Sequence, residues 1–408
     1  MKFSLNQFLL AVSFALDFVE MDIAGKRTNH GKRVAYITLR IAKKMGFNDE
    51  DLHDIVSLAI LHDNGICEAT NDVVLDNIND EEHLMKHCIT GENNATNYPF
   101  LKKRKNIIRY HHEKYNGLGF YKLKGYEIPL MSQIICFADF MENGFILDKM
   151  CDENKRKIEK FVKAQSGKLF KPEICEAFLE ITRNTSFRLD LGDNFINSAL
   201  KKYTPEFTVE LSLTDIVKIT DVFSKIIDSK SKFTRKHSKG IAAKAAIMAD
   251  YYNYDVDKKT RLVIAADLHD LGKLAVPNSI LDKPDKLTDD EFDIVKGHTY
   301  YTRAALSKID GFEDITEWAS NHHEKLNGYG YPYGKKASEL DFNSRLMGCI
   351  DIYQALTEER PYRKPLPHDK VINIMREMAD EGFIDRNIVA DIDSVFKFQV
   401  PESSLQNN

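Results

Sequence analysis

The stretch LVIAADLHDLGK occupies residues 262–273 and joins an apolar run to a histidine–aspartate pair. Its apolar part, Leu262 to Leu268, predicts a buried helix that ends at His269-Asp270. More potential metal ligands flank this pair, and the full set reads, in order, His237, His269-Asp270, His298, His322-His323 and Asp351. Imidazole and carboxylate groups together are typical ligands of transition metals. The sequence therefore predicts a metal site in the second half of the chain.

The first half of the chain repeats this pattern. Its set reads, in order, His30, His62-Asp63, His87, His111-His112 and Asp139. The step of 32 residues to the His-Asp pair and the step of 24 residues to the His-His pair are the same in both halves. Histidines used only for packing would not repeat with their spacing kept. We therefore predict two metal sites on two related domains.

One ligand of the first set has a competitor. His83 lies in the same predicted helix as His87 and offers the same imidazole group. We prefer His87 because only this choice gives both halves the same 24-residue step.

The composition is that of a globular protein, with 43% hydrophobic residues and a formal net charge of −5. This mild acidity argues against binding to a nucleic-acid polymer, which usually requires a broad basic surface. The six cysteines form no C-x-x-C pair, which favours free thiols in a reducing, cytoplasmic compartment. No apolar run reaches the roughly 20 residues needed to cross a membrane.

The domain organisation follows from chain length and periodicity. A chain of 408 residues is long enough for two domains that each bury a core. Apolar residues recur at helical spacing, as Val34, Ile37 and Ile41 do, and no sustained alternation predicts a sheet. We expect an all-α fold of two tandem helical bundles. A break near Lys201 to Pro205 places the domains at residues 1–203 and 204–400, followed by a tail at 401–408.

The chemistry of the ligand sets indicates two ions in each half. Five histidines and two aspartates can bind two divalent cations and still leave positions for water or phosphate oxygen. Mixed imidazole and carboxylate ligands suit iron, manganese, cobalt, nickel or zinc more than calcium or magnesium, and we expect iron or manganese. The absence of thiols from the sets argues against a structural zinc site. Two ions roughly 3.5–4 Å apart commonly hydrolyse phosphoesters, with a bridging hydroxide that attacks phosphorus.

The second half resembles the HD-GYP phosphodiesterases, within the HD-domain superfamily of metal-dependent phosphohydrolases. The resemblance extends from about Leu211 to about Val400. It depends on five segments taken together, which are His269 to Lys273, Pro277 to Pro284, His322 to Glu324, Asn327 to Pro332 and Arg360 to Arg363. Members of this family hydrolyse cyclic di-GMP, and some hydrolyse 3′,3′-cyclic GMP-AMP.

The resemblance implies a role for each ligand. Two triplets would each hold one ion, and one carboxylate would bridge the two ions. The first triplet is His237, His269 and Asp351, the second is His298, His322 and His323, and the bridging residue is Asp270.

The resemblance also implies residues that bind the substrate. Lys273, one helical turn after His269, is expected to contact a phosphate oxygen and to act with Asp270 in catalysis. Arg360 and Arg363 are expected to bind the second phosphate through bidentate hydrogen bonds. The implied reaction opens cyclic di-GMP to the linear dinucleotide, which a second cut converts to mononucleotide.

Three positions depart from the family pattern. Asn327 stands where the loop usually has Asp, and Gln354 stands where a second Asp is common after the metal ligand. Phe233 stands where some members have a Glu that holds a third ion. We therefore expect two ions in the second half and not three.

The first half keeps all seven ligand types but lacks the expected phosphate-binding groups. Ile66 aligns with Lys273, Gly119-Phe120-Tyr121 replaces Gly-Tyr-Pro, and no Arg-Pro-Tyr-Arg follows Asp139. We expect this half to bind two ions without hydrolysing a cyclic dinucleotide. The alternatives are hydrolysis of another phosphoester, regulation of the second half, or a purely structural role for the metal.

Alternatives to cyclic di-GMP hydrolysis also remain open at this point. They are a 3′,3′-cyclic GMP-AMP phosphodiesterase, a broader HD-type nucleotide phosphohydrolase, and a non-catalytic nucleotide-sensing module. The resemblance implies that the Gly-Tyr-Pro loop contacts a second copy of the chain or a signalling partner; the alternative is that Tyr331-Pro332 only shapes the loop.

Overall fold

A computed structural model describes residues 2–3, 5–24, 27–66, 81–96, 98, 103–149, 152–205, 209–231, 237–359 and 364–397. The chain divides into two compact units, residues 1–211 and 212–408. The boundary expected from sequence, between residues 203 and 204, falls just after the last helix of the first unit.

The first unit is built from helices. They are α1 (Leu5–Ala24), α2 (His30–Lys44), α3 (Asp49–Ile60), α4 (Glu81–Ala95), α5 (Leu130–Gly144), α6 (Asp152–Gln165), α7 (Pro172–Ile181), α8 (Thr185–Asp190) and α9 (Ile196–Tyr203). Helix α2 lies at the centre, where it packs against α3, α5, α7 and α9. Its predicted apolar face is buried, since Val34, Ile37 and Ile41 are fully inaccessible.

The second unit has a similar order of elements. Its helices are α10 (Leu213–Ser229), α11 (His237–Tyr251), α12 (Val256–Leu268), α13 (Asn278–Leu281), α14 (Asp289–Leu306), α15 (Glu313–Ser320), α16 (Phe342–Thr357), α17 (His368–Asp380) and α18 (Arg386–Phe396). Helix α12 packs against α10, α11 and α15. Its end, Leu262 to Leu268, is almost wholly buried, as the sequence predicted.

The all-α prediction is confirmed. Among the described residues, the named strands are limited to β1 (Lys2–Phe3) and β2 (Val209–Glu210), which pair antiparallel within the first unit. No helix of the described residues is long and apolar enough to cross a membrane.

Polar side chains set where several helices begin. The side chains of Asn48, Ser212, Asp255 and Asp341 each accept a hydrogen bond from the backbone N–H three residues later. Such caps satisfy amide donors that have no partner within the helix. Because α12 and α16 begin at defined residues, the ligands near the end of α12 and within α16 have defined positions.

Candidate metal centres

The ligands of the second unit come from helix ends and helix interiors that meet at one place. His237 is the first residue of α11, and His269-Asp270 directly follow α12. His298 lies within α14, and Asp351 lies within α16. The pair His322-His323 comes just after α15.

A close backbone approach brings α12 and α14 together at the site. A Cβ atom on Gly272 would lie 1.9 Å from the carbonyl oxygen of His298, so only glycine fits at this position. The hydroxyl of Thr302 accepts from the Gly272 amide at 3.0 Å and donates to the carbonyl of His269 at 3.0 Å. The glycine of the His-Asp-Leu-Gly segment thus positions His298 beside His269-Asp270.

The first predicted triplet is assembled in the structure. His237, His269 and Asp351 offer ligand atoms that lie within 4.8 Å of one another. Nε2 of His237 lies 3.1 Å from Oδ1 of Asp351, and Nε2 of His269 lies 3.1 Å from Oδ2 of Asp270. These separations between donor atoms are close to those around a single ion.

The second predicted triplet is also assembled. The ligand atoms of His298, His322 and His323 also all lie within 4.8 Å of one another. Nε2 of His298 lies 3.3 Å from Nε2 of His322 and 3.4 Å from Oδ1 of Asp270. Asp270 therefore directs Oδ2 toward the first triplet and Oδ1 toward the second, which is the arrangement a bridging ligand requires.

Backbone carbonyls orient three of the imidazoles. Nδ1 of His269, His298 and His322 donates to the carbonyl oxygen three residues earlier, at 2.8, 2.6 and 2.7 Å respectively. A hydrogen bond at Nδ1 fixes the tautomer in which Nε2 carries a lone pair. These three histidines are thus held ready to bind a cation through Nε2.

His237 is held by a different group, which the sequence did not reveal. Both carboxylate oxygens of Glu358 lie close to its Nδ1, at 3.0 and 3.1 Å. Gln354 donates from Nε2 to Glu358 at 3.0 Å. The only signal in the sequence is that Glu358 lies two helical turns after Asp351, at the end of the same helix.

The surroundings of three ligands favour the forms that bind metal, whereas at His237 the carboxylates of Asp351 and Glu358 outweigh burial and raise the pKa to about 9. Burial lowers the pKa of His298 to about 4 and that of His322 to about 3, so both imidazoles are neutral at pH 7. Burial acts to raise the pKa of Asp270, but the charges of His269 and Lys273 outweigh it and hold that pKa well below its usual range. Asp270 is therefore a carboxylate.

Unpartnered buried atoms show that the residues fit metal ions. Among the described residues, neither Nε2 of His269 nor Oδ1 of Asp270 has a hydrogen-bond partner. Leaving such buried atoms without a partner costs about 1–3 kcal/mol each, and more for a charged group. A divalent cation would satisfy both atoms, and the mixture of imidazole and carboxylate suits a transition metal.

Lys273 lies at the edge of this cluster. Its Nζ contacts Oδ2 of Asp270 at 2.5 Å, while a fifth of its side chain remains exposed. The ammonium group therefore sits between the buried carboxylate and the solvent.

The first unit forms a second centre with closely similar geometry. Nε2 of His30 lies 3.2 Å from Oδ1 of Asp139. Nε2 of His87 lies 3.3 Å from Oδ1 of Asp63 and 3.5 Å from Nε2 of His111. The described side chains that form ligand groups here are His30, His62, Asp63, His87, Cys88, His111 and His112.

The two centres have equivalent buried atoms without a hydrogen-bond partner, and an equivalent close approach of a glycine to a histidine carbonyl. Nε2 of His62 and Oδ1 of Asp63 are buried without a hydrogen-bond partner, as are the equivalent atoms of the second unit. A Cβ atom on Gly65 would lie 2.3 Å from the carbonyl oxygen of His87. The first centre therefore fits metal ions on the same grounds.

Three features distinguish the first centre. Glu142, in α5, contacts Nδ1 of His30 and accepts from Nε of Arg33 at 2.6 Å. Ile66 stands where the second unit has Lys273. The thiol of Cys88 lies among the imidazoles, at 3.6 Å from Nε2 of His87, and the sequence prediction did not include it.

The loop that contains Gly-Tyr-Pro is fixed beside the metal ligands. Glu324 accepts from the amides of Tyr333 and Lys335 at 2.8 and 2.9 Å. The ring of Tyr331 lies 4.9 Å from the ring of His323. The sequence showed Glu324 only as the residue that follows His322-His323 and did not predict that its carboxylate holds this loop.

Some predicted residues lie outside the described part of the chain. Arg360, Arg363 and Phe233 are among them, so their predicted roles stay predictions. His83 belongs to α4, but its side chain is not among those described.

We expect Glu358→Gln to weaken metal binding in the second unit by roughly 10–100-fold, the usual effect of removing a charged partner of a ligating histidine. Isothermal titration with Mn²⁺ measures this affinity. Glu377→Gln, at an exposed position on α17, is the matched control and should bind as the wild type does. Equal affinities for all three proteins would contradict the role assigned to Glu358.

Removal of the metal ions should destabilise both units. A ligand that binds only the folded state adds about 2.7 kcal/mol per site to the free energy of unfolding when its concentration is about 100 times Kd. We therefore expect EDTA to lower the midpoint of thermal unfolding and excess Mn²⁺ to restore it. If the midpoint of thermal unfolding stayed the same in protein that had lost all its metal, the ions would not contribute to the stability of the fold.

Comparison with known proteins agrees with this geometry. Two HD-domain family profiles match the chain, one at residues 27–144 and one at residues 221–388. The 3′3′-cGAMP-specific phosphodiesterase 1 of Vibrio cholerae is 27% identical across 99% of this chain and 95% of its own. Phosphodiesterase 3 of the same specificity and organism is 30% identical across 92% of this chain and 91% of its own.

Another relative matches only in part, and a solved structure matches throughout. A cyclic di-GMP phosphodiesterase of Thermotoga maritima is 27% identical over 51% of this chain and 58% of its own. A crystal structure described as a cyclic GMP-AMP specific phosphodiesterase of V. cholerae superposes with a TM-score of 0.69 at 26% identity. The superposition covers 98% of this chain and 100% of that one.

Two HD domains, each with a buried His/Asp cluster, define a metal-dependent phosphohydrolase. The chain belongs to the HD-GYP-type phosphodiesterases of the HD-domain superfamily.

Proposed function

We propose that the second unit hydrolyses a cyclic dinucleotide, and that 3′,3′-cyclic GMP-AMP is its preferred substrate. The sequence alone favoured cyclic di-GMP and kept the mixed dinucleotide as the alternative. The observation that supports the alternative is the extent of the match. Two relatives that align over more than nine-tenths of this chain are both described as 3′3′-cGAMP-specific, whereas the T. maritima cyclic di-GMP relative aligns over about half.

The ions, when bound, would supply a Lewis acid and a nucleophile of lowered pKa to the phosphodiester. His237, His269 and Asp351 would hold one ion, His298, His322 and His323 the other, and Asp270 would contact both. The proposed metal is iron or manganese, because five imidazoles and two carboxylates suit either.

Lys273 would bind the phosphate that is cut. Its ammonium is already at the mouth of the cluster, within 2.5 Å of the bridging carboxylate. A phosphate oxygen entering there would accept a charge-assisted hydrogen bond, which is about twice as strong as a neutral one. Since negative charge on the phosphoryl oxygens develops during hydrolysis, this contact stabilises the transition state more than the ground state.

The Gly-Tyr-Pro loop would form one wall of the substrate site. Tyr331 is largely buried against His323 and donates its backbone amide to the carbonyl of that residue at 3.3 Å. Tyr329, at the tip, is 86% exposed. Tyr331 would therefore lie beside the reacting phosphate, whereas Tyr329 is the residue we propose for contact with a second copy or a signalling partner.

For the first unit we propose metal binding without hydrolysis of a cyclic dinucleotide. Residues 1–203 provide a complete ligand set, but Ile66 replaces the lysine and offers no charge to a phosphate. Arg33 is buried and paired with Glu142 and Asp193, so it does not supply the missing cation.

The substrate is tested with purified protein, loaded with Mn²⁺ and offered each cyclic dinucleotide separately. We expect kcat/KM for 3′,3′-cyclic GMP-AMP to exceed that for cyclic di-GMP by about tenfold or more, a difference of about 1.4 kcal/mol in transition-state binding. The product is followed by chromatography as the linear dinucleotide. Deoxynucleoside triphosphates serve as the test of the broader phosphohydrolase alternative.

Two outcomes would contradict the proposal in different ways. Faster cleavage of cyclic di-GMP would reject the substrate preference but keep the reaction. No linear product from either dinucleotide, in protein that contains its metal, would reject the reaction and favour a sensing module.

A further inference from the structure

The first centre contains a thiol that has no counterpart in the second. Cys88 follows His87 on α4, and its side chain is buried. His87, Cys88, His111 and His112 offer four ligand atoms that all lie within 4.8 Å of one another. The corresponding group in the second unit has only the three imidazoles of His298, His322 and His323.

The distances around the sulfur match those between ligands of one ion. Sγ of Cys88 lies 3.6 Å from Nε2 of His87. A tetrahedral zinc ion with a sulfur ligand at about 2.3 Å and a nitrogen ligand at about 2.05 Å separates these two atoms by roughly 3.6 Å. Sγ also lies 3.8 Å from Nδ1 of His111, but that nitrogen donates to the carbonyl of Ile108. Nε2 of His111 is therefore the atom left for the ion.

A second observation marks the same place as a cation site. Oδ1 of Asp63 is buried, has no hydrogen-bond partner among the described residues, and lies 3.3 Å from Nε2 of His87. An anionic oxygen without a partner, directed at the imidazole beside the thiol, indicates a positive ion between them.

The second unit shows what the site is like without the thiol. The 24-residue step places Thr299 at the position of Cys88. The hydroxyl of Thr299 donates to the carbonyl of Lys296 at 3.0 Å, within its own helix. A neutral hydroxyl is a poor ligand, so the corresponding ion of the second unit has only nitrogen and carboxylate ligands.

We propose that Cys88 is a thiolate ligand of the first centre, and that it makes this centre selective for zinc while the second centre is not. The thiol gives up its proton to solvent when the ion binds. Soft thiolate ligands favour zinc, whereas carboxylate and water ligands favour manganese. The two halves would then hold different metals in one chain. This inference does not depend on the substrate of the second unit.

Cobalt(II) provides a readout that is independent of activity, because a cobalt–thiolate bond gives a charge-transfer absorption in the near ultraviolet that imidazole and carboxylate ligands do not. The full-length apoprotein is titrated with Co²⁺ under anaerobic conditions. We expect this band in the wild type and its loss in Cys88→Thr, the residue that the second unit tolerates at this position. Co²⁺ content, measured in parallel, shows whether each variant still folds around its ions.

Two other cysteines are the controls. Cys136→Ser removes a buried thiol of α5 in the same unit, and Cys67→Ser removes a thiol five residues after His62. Both variants should keep the band. A band that is absent from the cobalt-loaded wild type, or that Cys88→Thr retains, would overturn the proposal. Loss in Cys67→Ser with retention in Cys88→Thr would assign the ligand to Cys67 and reject Cys88.

Competition between metals tests the selectivity itself. Zn²⁺ is titrated into protein loaded with Mn²⁺, and manganese released from each half is assigned with Asp63→Asn and Asp270→Asn. We expect zinc to displace manganese from the first centre at a concentration at least tenfold lower than from the second. In Cys88→Thr, zinc should displace manganese from both centres at similar concentrations. Equal displacement from both centres in the wild type would contradict the proposed selectivity.

Discussion

Asp270→Asn should lower kcat for cyclic dinucleotide hydrolysis by about 10³-fold or more. Loss of one electrostatic stabiliser of a transition state usually costs about 10²–10³-fold, and Asp270 directs one oxygen to each ligand triplet. An amide keeps the shape of the side chain but loses the charge that two cations share. Steady-state kinetics with Mn²⁺, together with metal analysis, measures both effects.

The matched control is Asp63→Asn, the same change at the equivalent position of the first unit. We expect it to empty the first centre while hydrolysis remains within about twofold of the wild type. If Asp63→Asn abolished hydrolysis and Asp270→Asn did not, the assignment of the active unit would be reversed. If both abolished hydrolysis in stably folded protein, the first unit would be required for the reaction.

Lys273→Met should lower kcat by about 10²–10³-fold with a smaller change in KM. The ammonium contacts the bridging carboxylate at the entrance of the cluster, where its charge would act on the phosphate as negative charge develops. Methionine keeps the length and the apolar stem of the side chain. Metal content should not fall, because Lys273 is not a ligand and its positive charge opposes cation binding.

Lys258→Met is the control for the loss of a lysine charge. Lys258 is exposed near the start of α12, whereas Lys273 follows the end of that helix. It should leave kcat and KM unchanged. If Lys273→Met kept the wild-type kcat, Lys273 would have no role in catalysis. If the variant lost metal as well as activity, Lys273 would instead be needed to keep the metal ligands in place.

The ligand residues were predictable because their spacing is a property of the chain. Steps of 32 and 24 residues, shared by both halves, predicted six residues of each set, all but Asp139 and Asp351. The structure brings the His-Asp pair and the histidines of each half close together. The all-α fold followed from apolar residues at helical spacing, which depends only on local geometry. The substrate preference did not follow, because no base-contacting residue is marked by spacing.

Other parts of the site depend on which helices lie side by side. Glu358 contacts His237 across 121 residues of chain, and Arg33 contacts Glu142 across 109. Sequence analysis treated Cys88 only as a free thiol, yet the turn of α4 brings its sulfur to the imidazoles. Periodicity gives the direction of a side chain on its own helix but not the helix that faces it.

The sequence by itself thus determined that the chain has two related helical domains, each with a set of seven candidate metal ligands. It also showed that only the second domain has a lysine three residues after its His-Asp pair. The tertiary structure decided which carboxylate contacts the first histidine of each set, and that the thiol of Cys88 lies among the imidazoles of the first centre. The physical reason is that residue types and spacing are fixed along the chain. Ligand geometry, in contrast, depends on the packing of helices distant in sequence, here set by close approaches such as that of Gly272 to His298.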